Sequence, residues 1–100
     1  MAEPRFYPAG YPAEECLGAI ETWAFNERPL EEFLTYIKAM WIYPDRWEQT
    51  EEKLTLSTGG WSGNESLITA MENNRVFWMM CWEESRRGGH YIFDLRRMLV

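Results

Sequence analysis

Val76-Phe77-Trp78-Met79-Met80-Cys81-Trp82 is an unbroken apolar run with abrupt polar flanks, Asn73-Asn74-Arg75 before it and Glu83-Glu84 after it. A run this short and sharply bounded has the length of a strand covered on both faces, so it predicts the central strand of a sheet. Glu83-Glu84-Ser85-Arg86-Arg87-Gly88-Gly89 then supplies hairpin chemistry, with the turn expected within residues 85–89. His90, Ile92 and Asp94 alternate with Tyr91, Phe93 and Leu95 in a partner strand.

Upstream of the run, Leu54 and Leu56 alternate with Thr55 and Ser57, the period of a half-buried strand that ends at Gly59-Gly60. A helix is expected over 63–73, with Ser62 and Glu65 at the separation of a capping box. Two more helices are expected nearer the start. One runs over about 12–25 with Cys16, Leu17, Ile20 and Trp23 on its inner stripe; the other follows Pro29 with Leu30, Phe33, Leu34, Ile37 and Trp41 inward. Residues 47–52 read as a polar connector. The expected fold is therefore α+β: one small domain over 1–100, with two N-terminal helices and then strand, helix, strand, strand, giving a three-stranded sheet covered by helices. Residues 1–11, with Pro4 and Pro8 among Phe6, Tyr7 and Tyr11, read as an extended arm; 12–43 is the helical part and 53–96 the sheet-containing part.

Sixteen acidic residues against ten basic ones give a formal charge of −6, which disfavours direct binding to nucleic acid or an anionic membrane. Residues 1–50 carry nine acids and four bases, and 51–100 seven and six, so the negative field belongs to the first half. Glu14 and Glu15, and Glu31 and Glu32, stand at the starts of the two early helices, where the helix dipole favours them. These acids are candidate contacts for a basic protein surface. Trp47 and Trp61 are candidate anchors, since tryptophan is enriched at the energetic centres of interfaces. With only Cys16, Cys81 and His90 as soft ligands, no metal site and no cofactor is expected, and a reducing cytoplasm is the expected compartment. No stretch has the length of a membrane span.

The densest local signal is Ser57-Thr58-Gly59-Gly60-Trp61-Ser62-Gly63-Asn64-Glu65, a glycine-rich passage from strand to helix. Such a passage can hold an anion on backbone donors, although no lysine follows the glycines as a phosphate loop requires. Gly60, Ser62 and Asn64, with Arg86, Arg87 and His90 from the hairpin, are the candidate ligand-binding set. Gly60-Trp61-Ser62-Gly63-Asn64 also approaches a nucleophile elbow, but the last glycine is missing and His90, oriented by Asp94 or Glu65, is the one available base. No enzyme is expected.

Residues 57–65, Phe77-Trp78, Cys81-Trp82 and Ser85-Arg86-Arg87-Gly88-Gly89-His90-Tyr91 resemble small proteins encoded by bacteriophages and prophages. The resemblance implies a protein that binds and disables a host complex, with anti-CRISPR inhibitors as one such class, and it brings no catalytic residues. The resulting expectation is a small acidic accessory protein acting on a host defence or nucleic-acid-handling complex. A ligand-binding module at residues 59–65 is the alternative.

Overall fold

The computed structural model describes residues 11–98. The proline-rich arm lies outside the described residues except for Tyr11. Two helices lead, α1 (Glu14–Glu21) and α2 (Leu30–Lys38), followed by a short 3-10 turn and the strands β1 (Trp47–Gln49) and β2 (Lys53–Ser57). Helices α3 (Ser62–Asn73) and α4 (Arg75–Cys81) come next, then the hairpin β3 (Trp82–Arg86) and β4 (His90–Asp94). The strands form one antiparallel sheet in the order β1-β2-β4-β3. The α+β class is as expected, with four strands in place of three.

The seven-residue apolar run is where expectation and structure part. Val76 to Cys81 is helical, and the strand begins only at Trp82. Val76, Phe77, Trp78 and Trp82 suit a strand, so local propensity does not account for the helix. Asn74 then decides the matter, because its side-chain oxygen accepts the Phe77 N–H at 3.1 Å and caps a helix. Phe77 and Cys81, one helical turn apart, are buried, while Val76, Met79 and Met80 point outward. The run is covered on one face only, and β3 lies at the edge of the sheet rather than its centre. The central pair is β2 with β4, in the register Leu54↔Phe93 and Leu56↔Tyr91. Since β2 and β3 are not neighbours, the strand-helix-strand passage creates no parallel pair.

β1 also departs from the expected polar connector. Three residues carry too little pattern to announce a strand; pairing decides them, with Trp47 opposite Leu56. The β1–β2 turn closes on Thr50, whose N–H donates to the Lys53 carbonyl at 2.8 Å and whose hydroxyl accepts the Lys53 N–H at 3.0 Å.

Alternation along the sheet gives it two unlike faces. Trp47, Leu54, Leu56 and Phe93 face the helices and are buried, where Phe93 meets Phe77 at 5.2 Å and Phe77 meets Phe33 of α2 at 5.0 Å. The opposite face carries Lys53, Thr55, Ser57, His90, Ile92, Asp94, Glu84 and Arg86 by the same register. Asn74, buried between α3 and α4, also donates to the carbonyls of Ile20 at 2.9 Å and Trp23 at 3.3 Å, which ties the end of α1 to the start of α4.

Candidate interaction surface

After Arg75 every residue of helix α4 is apolar, but the core takes only Phe77 and Cys81 in full. Val76 (56% exposed), Met79 (76%), Met80 (38%) and Trp82 (44%) are left facing water on α4 and the first residue of β3. Val76, Met79 and Met80 share one side of α4 by helical spacing and Trp82 follows them, an accumulation of exposed apolar side chains of the kind that marks protein contact sites on small folded proteins. The patch is continuous with the core. Trp78 packs edge-on to Phe93 at 5.5 Å, and Trp82 stacks on Trp78 at 6.2 Å and 18°. The Trp82 Nε1–H donates to the Ser85 hydroxyl at 2.8 Å, so the outermost indole is held in one orientation. A fixed aromatic at a rim loses little side-chain entropy when a partner covers it.

An unbroken apolar run reads as core in the sequence, whereas the structure leaves Val76, Met79, Met80 and Trp82 at the surface. The signal that distinguishes the two outcomes is Asn74, a capping residue immediately before the run, together with the helical spacing of Phe77 and Cys81. The Cys81 thiol is pushed up to about 12, chiefly by burial and then by the Asp94 carboxylate, against the opposing pull of Arg97. It is held as a neutral thiol and supplies no nucleophile at neutral pH.

The candidate anchors separate. Trp47 is 6% exposed and packs edge-on against Trp41 at 5.7 Å, so its pairing with β2 turns it into the core and it cannot anchor a partner. Trp61 is half-buried and lies against Tyr11 at 5.0 Å. Glu14 and Glu15 are exposed in the first turn of α1, Glu31 and Glu32 in the first turn of α2; Glu32 pairs with Arg28 at 2.9 Å.

The ligand-binding set is brought together in part. The passage 58–61 and the turn 87–89 lie side by side, since the Thr58 N–H donates to the Gly89 carbonyl at 3.0 Å. Gly89 has φ +79°, and a Cβ there would overlap the Thr58 hydroxyl, so both backbone shape and close approach require glycine. Most of the polar groups are committed elsewhere. Asn64 is fully buried and faces the 42–43 turn rather than solvent, because satisfying the backbone of Ile42 and Thr58 uses its whole amide. Ser62 does not cap α3: Trp61 is the N-cap residue with no side-chain cap, and the Ser62 hydroxyl shares a hydrogen bond of 2.7 Å with the Tyr11 hydroxyl. Arg86 is paired with Glu84, which lowers the acid's pKa chiefly through the hydrogen bond and raises the arginine's. His90 shares a hydrogen bond of 2.8 Å with Ser57, a different serine from the one in the elbow-like sequence. Gly60 and Arg87 remain exposed.

Among the described residues no group of three or more His, Cys, Asp or Glu side chains could hold a metal ion, and no helix is long and apolar enough to cross a membrane. Comparison with protein-family models, curated proteins and solved structures found no match.

Proposed function

We propose that this chain is a non-enzymatic accessory protein that docks through the outer face of α4 onto a host protein complex with a basic surface. The observation that carries this reading is the exposed apolar row Val76, Met79, Met80 and Trp82 beside a tethered indole. Its charge supplies the second component. A chain of net charge −6, with acids concentrated in its first half, is steered toward a basic partner, while the apolar face determines how long the complex lasts. On this reading the target is a host defence or nucleic-acid-handling complex in the host cytoplasm, in the manner of anti-CRISPR inhibitors, as the pattern resemblance of residues 57–65, 77–78, 81–82 and 85–91 to small phage and prophage proteins would imply.

The test is affinity capture from host lysate, followed by binding kinetics on the purified captured complex at two ionic strengths. Met79→Glu should weaken binding by at least about tenfold, mostly in dissociation rate, with an unchanged melting temperature. Reversal of Glu14, Glu15, Glu31 and Glu32 to lysine should slow association and flatten its salt dependence. A folded Met79→Glu variant that binds as the wild type does would eliminate the α4 face as the docking surface.

A further inference from the structure

Among the described residues the sheet ends at β3. Its neighbour on one side is β4, through Glu84↔Ile92, Ser85↔Tyr91 and Arg86↔His90, and no strand among the described residues lies on the other. The edge contains no proline, so its outward backbone groups are available to a further strand. A β-bulge between Trp82 and Glu84 disturbs the start of β3 and leaves Glu84, Ser85 and Arg86 regular.

The charges on this regular segment are self-complementary. Glu84 and Arg86 share the polar face of the sheet, with Ser85 between them on the helix-covered face. Under a two-fold axis through Ser85, residue numbers on opposing strands add to a constant. Ser85 then stands opposite Ser85 of a second copy, and each Glu84 stands opposite the other copy's Arg86. The within-chain Glu84–Arg86 pair becomes half of a four-charge square in which every nearest neighbour has the opposite sign. An unrelated strand lacking that pattern would meet one acid and one base without partners, which is how charged edges discourage promiscuous pairing.

We infer that β3 is a homodimerisation edge: two copies pair antiparallel about Ser85, with Glu84 facing the other copy's Arg86, and join their sheets into one of eight strands. The interface is isologous, as a two-fold dimer requires. Trp82, half exposed at the same edge and held by Ser85, adds apolar area on the helix-covered side. The main-chain ladder supplies affinity and the charge square supplies register.

Sedimentation equilibrium of the intact chain, without any host partner, tests the pairing. The wild type should show a monomer–dimer equilibrium. Glu84→Arg and Arg86→Glu should each raise the dimer dissociation constant roughly tenfold or more, because the symmetry places two like-charged contacts opposite each other. The double variant E84R/R86E restores opposite signs at every position and should recover dimerisation. If either reversal fails to fold, Glu84→Gln and Arg86→Gln should each weaken the dimer by about threefold. A wild type that is monomeric into the hundreds of micromolar, single substitutions without effect, or a folded double variant that stays monomeric would each overturn the assignment. Because self-association is read without the host complex, its failure is distinguishable from failure of the α4 face to dock.

Discussion

One side chain closes both backbone polar groups of Ile42: Asn64 Oδ1 accepts its N–H at 3.0 Å, and Asn64 Nδ2 donates to its carbonyl at 2.7 Å. The second Nδ2 hydrogen reaches the Thr58 carbonyl at 3.2 Å. This amide therefore substitutes for a length of missing strand between the end of the α2 region and the loop after β2. The next residue, Tyr43, sits at φ +72°, a left-handed conformation costly for a residue with a side chain. The amide clamp beside it helps to hold that geometry.

Asn64→Ala should destabilise the protein by about 2 kcal/mol or more, because it leaves the partly buried N–H and carbonyl of Ile42 without a partner, while the Thr58 carbonyl keeps the Trp61 N–H. Asn64→Asp keeps an acceptor but removes both donors and buries a charge, so it should do no better. Urea denaturation of the two variants checks this. A loss below the ordinary range for surface substitutions would mean that solvent replaces the clamp.

Asn74 and Ser62 should answer in opposite ways. Asn74→Ala removes the cap of α4 and the ties to Ile20 and Trp23, and should cost about 2 kcal/mol or more. Ser62→Ala loses one exposed bond to Tyr11 and should stay within about 0.5 kcal/mol. Thermal unfolding of both reads the difference. A larger loss for Ser62→Ala than for Asn74→Ala would reverse the assignment of the capping residues.

The carboxyl of Asp94 is held at about 2, first by the Arg96 guanidinium, which donates to both of its oxygens, and then by the Arg96 backbone N–H. A folded-state value below the unfolded one means the contribution to stability is present above about pH 4 and disappears as the pH falls through 2. Carbon-detected titration of Asp94 should give a midpoint near 2 in the wild type. In Arg96→Ala the midpoint should return toward the ordinary carboxylate range, and an unmoved midpoint would show that the pair is not its cause.

Much of the architecture was legible in the residues. Helices α1 and α2 announce themselves through apolar positions three and four apart, and Leu30, Phe33, Leu34 and Ile37 are indeed the buried side of α2. The alternation at Leu54 and Leu56, and again at Phe93 and Leu95, places those residues in the core. These segments are amphipathic, so their period records which side must leave water.

Val76 to Trp82 has no such period, because every position is apolar and either conformation buries something. Three tertiary facts settle it: Asn74 is fixed by the carbonyls of Ile20 and Trp23, Phe77 fits between Phe33 and Phe93, and β4 takes β2 as its other neighbour. With β2 and β4 paired, the chain reaches the sheet only at Trp82 and only at its edge. The surplus apolar side chains of the run then have no core to enter. Composition and spacing determined that this protein has a helix-covered sheet and an aromatic core; only the packing decided that Val76, Met79 and Trp82 lie on its surface, because exposure depends on which neighbours arrive from elsewhere in the chain.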